Sequence, residues 1–473
     1  MHKDIASKLL AALPWDILIG EEKEVIKPDT LVKYYQNSCS HDKDLAIGFE
    51  YERSGVYPDI LKPVAYKGSW GRKGYLDILK RLNEELGWEI IWQENGDIKE
   101  LRRSGTRITL ESDGRLEMSS KPRTNLHDLA HEFMFYNREI TEVSKIFGIA
   151  QIGIGLQPFH KSEEIPFYEN GRGPEISGMY KNDKNIVDCL KKANGLHINF
   201  DYLSEEDAVR KTQLMWRLSS IIAAMFAFSP INNGEDTGYL DYRLILINGY
   251  DSKRTALQKE FLRKDFSFKK WIDYCLDLPI MYIMREGKRV YPKKTFRKFI
   301  EEGYNGLTPT IRDFNLHLKS VWSEVRLRKY IELRSIDSVP PFLIMSAPAL
   351  IKGLLYGKDA IDAAEKLVGD FDYNELMELR KNIIKDDLMA EIRGKKVIDY
   401  AKELISIANA NLKSFKNLDE KEEDESVYLE PIKEFIFVKE KSPARYVLEK
   451  WKGEWGRNAS KLIEWCVSEK SPL

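Results

Sequence analysis

"RITLESDGRLEMS", residues 107–119, reads as two short strands closed by a tight turn, and its register decides what kind of sheet the chain builds. The Asp113-Gly114 pair signals a hairpin. A two-residue turn there would set Leu110 opposite Glu117 and Leu116 opposite Glu111, mixing apolar and acidic side chains on both faces. A three-residue loop of Ser112, Asp113 and Gly114, with the glycine left-handed, instead pairs Leu110 with Leu116 and Ile108 with Met118. Glu111 and Glu117 then share the opposite face.

Working outward, other segments repeat the design. "LAIGFEYER", 45–53, alternates strictly and aims Glu50 and Glu52 to one side. "GLHINFDY", 195–202, puts Leu196, Ile198, Phe200 and Tyr202 on an apolar face and His197, Asn199 and Asp201 on the other. "IAQIGIGLQP", 149–158, sends Gln151 and Gln157 to its polar side. In "VRLRKYIELRS", 325–335, Val325, Leu327, Ile331 and Leu333 alternate against Arg326, Arg328, Tyr330, Glu332 and Arg334. An ordinary half-buried strand explains any one of these, since antiparallel sheets commonly keep one wet face. Together their polar faces collect five glutamates, one histidine and two glutamines, with Arg334 at one end, where wet faces usually carry Thr, Lys and mixed charge. Adjoining carboxylates repel unless cations lie among them. Carboxylate oxygens with an occasional imidazole suit Mg²⁺ or Mn²⁺ better than zinc, and Mg²⁺ with few protein ligands keeps places for phosphate oxygens. The pattern points to a metal–nucleotide site on a sheet.

The rest of the chain bounds the class. With 473 residues, 43% hydrophobic and 32% charged, it can bury one large core or two ordinary ones. Its 74 basic and 75 acidic residues leave a net charge of −1, which indicates neither a nucleic-acid nor a membrane partner. Helical periodicity covers 125–147, 204–228, 359–369, 374–384 and 395–413, the second opened by a capping pair of Ser204 and Asp207. Short alternating strands between helices fit α+β better than regular βαβ winding. The apolar run "LMWRLSSIIAAMFAF", 214–228, is too short to span a bilayer and reads as a buried helix. Cys39, Cys189, Cys275 and Cys466 are far apart with no Cys-x-x-Cys pair, so neither a zinc site nor a disulfide switch is expected and a reducing cytoplasm is the expected location. We read a single catalytic domain over 1–473, with an N-terminal helical extension at 1–44 and an acidic surface loop at 416–430 around "DEKEEDE". No P-loop and no Gly-x-Gly-x-x-Gly follows a strand. "YKGSWGRKG", 66–74, and "ENGRGPEISG", 169–178, read as surface loops before phosphate loops. His127 and His131 have metal-pair spacing but lack the glutamate of a His-Glu-x-x-His site, so a capping or solvated role is expected; Trp451 and Trp455 read as packing residues.

With these segments in hand, the chain resembles the glutamate–cysteine ligases, most closely their plant and proteobacterial branch, and more distantly the carboxylate–amine ligases related to glutamine synthetase. The landmarks come in the family's order: "IGFEYER", "ITLESDGRLEMSS", "IGIGLQPFH", "GLHINFDYLSEEDAVRK", "FAFSPINNGEDTGYLDYR", "DSKRT", "EVRLRKYIELRSID" and "KGEWG". The resemblance implies a glutamine synthetase-like fold, a curved antiparallel sheet lining an active-site funnel with helices around it. It implies ATP-dependent joining of the glutamate γ-carboxylate to the amine of cysteine through a γ-glutamyl phosphate, the first step of glutathione synthesis. By the same resemblance Glu50, Glu52, Glu111, Glu117, His197 and Glu332 hold magnesium, Arg243 grips the α-carboxylate of glutamate and Arg254 is a further substrate ligand; Arg334, whose planar fork suits phosphate oxygens, is the candidate cation at the transferring phosphate. Partners are then glutamate, cysteine and ATP, in a monomer or homodimer. "HKSEEIPFYENGRGPEISGMY", 160–180, departs from the plant pattern, which keeps open a ligase for another amine, beside a non-catalytic nucleotide-binding relative.

Overall fold

The hairpin at 107–119 adopts the register that separates its faces: Ile108 lies opposite Met118 and Leu110 opposite Leu116. Gly114 takes a φ of +90°, the left-handed turn that a residue with a Cβ resists. The computed structural model describes residues 25–471 apart from 27, 41–44, 250 and 287. Of the expected N-terminal extension, the helix Pro28–Gln36 is described, and most of 1–44 lies outside the described residues.

The chain divides into two compact units. The larger comprises 46–199, 217–250 and 335–473, and the smaller 1–45, 200–216 and 251–334. The larger contains the strands β1 (Ile47–Glu52), β2 (Glu89–Glu94), β3 (Asp97–Arg103), β4 (Thr106–Leu110), β5 (Leu116–Ser119) and, but for its last residue, β6 (Gly195–Phe200), in the spatial order β6–β1–β5–β4–β3–β2. The pairs β1–β5, β5–β4, β4–β3 and β3–β2 are antiparallel. One face is the core: Ile47, Phe49, Tyr51, Ile108, Leu116, Met118, Leu196 and Ile198 are all buried. The rings of Phe49 and Tyr51 meet Phe133 of helix Leu126–Ile146 at 5.5 and 5.9 Å. Burying each such side chain contributes about 1.5–3 kcal/mol, which is what pins the register. The opposite face carries the glutamates.

The smaller unit holds β7 (Val325–Leu327) and the start of β8 (Ile331–Asp337), whose last three residues belong to the larger unit. The segment 325–335 is therefore a hairpin and not the single strand its alternation suggested; Arg326 pairs with Glu332 and Leu327 with Ile331. Lys329 breaks the alternation and falls in the turn. The capping pair is present, with the Asp207 N–H donating to Ser204 Oγ at 3.1 Å at the start of helix Glu205–Met225. The other expected helices appear as Leu126–Ile146, Lys358–Val368, Tyr373–Asp386 and Val397–Phe415. No described helix is long and apolar enough to cross a membrane.

A second strand reading changes as well. Of 149–158 only Ala150–Ile152 is strand, and it pairs with Ser54–Tyr57 in a separate three-stranded sheet. Beyond it the backbone runs so close to its neighbours that a Cβ on Gly153 would stand 2.2 Å from Tyr51 Oη. Gln151 and Gln157 are consequently buried, the first donating to Ser144 Oγ and the second contacting His160, and neither joins the acidic face.

Candidate metal and substrate site

In the larger unit the sheet register sets Glu52 directly opposite Glu117. Like charges facing one another across a ladder destabilise it, so this pairing needs a reason. Glu111 joins them from the start of the β4–β5 turn, and one carboxylate oxygen from each of Glu52, Glu111 and Glu117 lies within 4.8 Å of the others. Two unit charges about 4 Å apart at an effective dielectric of about 20 repel by about 4 kcal/mol. The cost is visible on Glu117: burial, and then the charges of Glu50, Glu111 and Glu52, push its pKa well above the ordinary carboxylate range, against the hydrogen bond it accepts from Thr109 at 2.8 Å.

The other expected ligands on this unit are close by. The His197 ring, almost fully buried, has Nδ1 3.1 Å from Glu50 Oε2 and Nε2 3.8 Å from Glu52 Oε1. A carboxylate on one ring nitrogen is the usual way to orient an imidazole so that the other faces a metal. Glu52 is fixed from behind by the N–H of Gly195 at 2.8 Å.

Two cations that the sequence reading missed lie among these carboxylates. Arg115, fully buried, donates to Asp113 at 2.6 Å and has Nη2 3.8 Å from Glu52. Burial opposes its charge, but Asp113, Glu111 and Glu52 outweigh it and hold the guanidinium protonated. Arg172 reaches to 3.5 Å from Glu111 from a half-exposed position at the start of helix Gly173–Met179. The protein thus supplies part of the counter-charge itself, yet Glu117 stays perturbed. The only sequence signal for Arg115 was a basic residue directly after the turn glycine, where a surface arginine is equally at home.

Arg243 is buried in the larger unit, 3.4 Å from both Asp337 Oδ1 and the Ser335 carbonyl oxygen. The remaining candidates are in the smaller unit. Glu332, with no exposed surface, takes both Nη2 contacts of Arg326 at 2.7 Å and its Nε at 2.9 Å, and Arg334 also donates to it. Arg254 is occupied within its own unit: it bonds Asp251 at 3.1 Å, Ser320 Oγ at 2.7 Å and the Pro279 carbonyl, over the Trp322 ring. It ties segments of that unit together. His127 contacts Tyr428 Oη at 2.9 Å and the Asn417 carbonyl at 3.1 Å, a buried structural role and not the solvated one.

Three carboxylate oxygens without sulfur are the kind of donor set that a hard divalent cation takes, and the same crowding of negative charge raises the pKa of Glu117.

A family model described as glutamate–cysteine ligase family 2 matches residues 46–461. The chain is similar to glutamate–cysteine ligase A, chloroplastic, of Oryza sativa subsp. indica, with 28% identity over 449 residues covering 93% of this chain and 88% of that protein. It is as similar to the chloroplastic enzyme of Arabidopsis thaliana, 28% over 446 residues, covering 93% and 83%. Among solved structures, the glutamate–cysteine ligase of Francisella tularensis in complex with AMP superposes with a TM-score of 0.52 at 13% identity over 89% of this chain and 87% of that one. That likeness bears out the expected α+β, glutamine synthetase-like fold. The expected cytoplasmic location does not stand, because these plant relatives are chloroplastic. Cysteine spacing bears only on redox environment, and reducing environments are not confined to the cytosol.

Proposed function

The chain belongs to glutamate–cysteine ligase family 2, and from that membership we propose how its own residues perform the reaction. It is a glutamate–cysteine ligase: ATP phosphorylates the γ-carboxylate of glutamate, and the amine of cysteine displaces phosphate from the acyl phosphate to make the peptide-like bond, the first step of glutathione synthesis. The observation that carries the site assignment is the convergence of Glu52, Glu111 and Glu117 within 4.8 Å.

Mg²⁺ or Mn²⁺ held by these three carboxylates, with His197 Nε2 beside them, would neutralise the ATP phosphates and lower the repulsion between the γ-phosphate and the attacking carboxylate. Glu50 then orients His197, and the Gly195 N–H keeps Glu52 in place. Arg115 balances the Glu52 side of the cluster from below. Arg243 grips the α-carboxylate of glutamate, a paired-donor task for which a planar guanidinium is suited. Glu332 keeps in this proposal the metal role that the family resemblance implies, and Arg334 is our candidate for the cation that meets charge spreading over the transferring group. The ion pair of these two residues supports a simpler role too, in which Arg334 serves to neutralise Glu332.

The divergent segment around Arg172 is what keeps a second amine acceptor in view, because that residue reaches the cluster itself. The test is ADP formation with glutamate, Mg²⁺ and a panel of amines. We expect turnover to require glutamate and the divalent ion, and kcat/KM to be highest with cysteine. A higher value with another amine would reassign the acceptor, and glutamate-independent ATP cleavage would remove the ligase reading.

A further inference from the structure

We infer that Asp337 is a positioning residue for the glutamate site: its carboxylate holds the Arg243 guanidinium beside His197, in a slot kept open by the glycines at 155 and 195. The inference rests on the proposed grip of Arg243 on the substrate α-carboxylate and adds a residue, and two backbone requirements, that this grip needs.

Asp337 has no exposed surface. Its Oδ2 accepts the Phe228 N–H at 2.8 Å, and its Oδ1 faces Arg243 Nη1 at 3.4 Å. The Ser335 carbonyl, two residues back on the same strand, meets that same Nη1 at 3.4 Å. The Arg243 backbone is anchored as well, its N–H donating to Ser229 Oγ at 3.1 Å. One edge of the guanidinium is thus directed by a strand end and a carboxylate that is itself locked by a backbone amide.

The glycines define the slot by space and not by conformation, since neither has a left-handed φ. A Cβ on Gly155 would stand 2.3 Å from Asp337 Cγ and 2.5 and 2.6 Å from its two oxygens. A Cβ on Gly195 would stand 2.6 Å from Arg243 Nη2 and 2.5 Å from His197 Nε2. Guanidinium and imidazole therefore approach the same point on β6, beside the residue whose N–H holds Glu52. A group bound to Arg243 here is held next to the acidic cluster, as a substrate whose far carboxylate is to be phosphorylated must be. A buried arginine without Asp337 would lose both its aim and a counter-charge 3.4 Å away.

The test is Asp337→Asn in the full chain. The amide keeps the shape and an oxygen for the Phe228 N–H but removes the charge. We expect the glutamate KM to rise about tenfold or more, with kcat and the ATP KM within about twofold of the parent, a split that a purely structural ion pair would not give. Arg243→Lys should raise the glutamate KM as well, and the double variant should be no worse than the poorer single one, because both changes break one coupled unit. Gly155→Ala, which crowds Asp337 without altering its charge, should reproduce the selective effect and stands in if Asp337→Asn does not fold. A raised glutamate KM in Arg243→Lys alone, with parental values in Asp337→Asn or Gly155→Ala, would overturn the inference and leave the Arg243 assignment intact. Parental glutamate KM in Arg243→Lys would remove that assignment instead. Glutamate and ATP KM rising together in Asp337→Asn would make the residue structural.

Discussion

Glu117→Gln will lower kcat/KM by about 10²–10³-fold, the range found when one pre-placed charge-stabilising group is removed, and will at the same time raise the melting temperature of the metal-free protein. The two effects have opposite signs because they come from one cause. Glu117 lies across the ladder from Glu52, with Glu111 beside it, and burial together with Glu50, Glu111 and Glu52 drives its pKa well above the ordinary range. A carboxylate whose folded pKa is raised contributes stability that is fully present below its unfolded pKa of about 4.3 and is lost as pH rises through the folded value. The metal-free protein should therefore lose stability through this group as pH rises above the ordinary carboxylate range, and Glu117→Gln should flatten that slope. With Mg²⁺ the slope should reverse, because deprotonated carboxylates bind the ion and binding adds to folding free energy. Thermal melts of both proteins across that pH window, with Mg²⁺ and with chelator, read all of this. A parental slope in the variant, or identical melts with and without the ion, would mean the cluster is not the metal site.

Lys352→Met should destabilise the larger unit by about 3–5 kcal/mol, the usual result of breaking a buried ion pair from one side. Lys352 Nζ lies 2.6 and 2.7 Å from the two oxygens of Glu425 and 2.7 Å from the Thr124 carbonyl, and neither charged side chain has appreciable exposure. Glu425 in turn accepts the N–H of Leu126 at 2.6 Å, so one carboxylate joins helix Ser346–Leu355 to the first turn of helix Leu126–Ile146. That helix packs Phe133 under Phe49 and Tyr51 of β1, the strand that carries Glu50 and Glu52. Methionine fills the volume of the lysine stem but leaves the carboxylate buried and unpaired. Adding Glu425→Gln removes the stranded charge and keeps an oxygen for Leu126, so the double variant should recover much of the loss. Urea midpoints at constant slope measure it. A double variant no more stable than Lys352→Met would show that the loss lies in packing and not in the orphaned charge.

Much of the larger unit's sheet was legible along the chain. The hairpin register at 107–119 followed from requiring Ile108, Leu110, Leu116 and Met118 to share a face, and Glu50 and Glu52 were aimed together by the same alternation. The helix start at Ser204 was written in its capping pair. Where readings changed, neighbours distant in sequence had intervened. The backbone around Gly153 and Gly155 left the strand pattern because it passes against Tyr51 and Asp337, from far along the chain. The segment 325–335 turned at Lys329, one residue out of phase in an otherwise regular alternation. Arg115 and Arg172 carried no local mark of a functional site, since isolated arginines on turns are common at surfaces.

The amino-acid order alone determined which side chains share a strand face and which faces are acidic, because a two-residue period is a property of neighbouring peptide units and needs no partner. Only the tertiary structure decided that Glu52 meets Glu117, that Arg115 is buried beside them and that Asp337 faces Arg243. Those meetings bring together residues far apart in the chain, and their energies depend on separation and dielectric, quantities that exist only once the chain has folded.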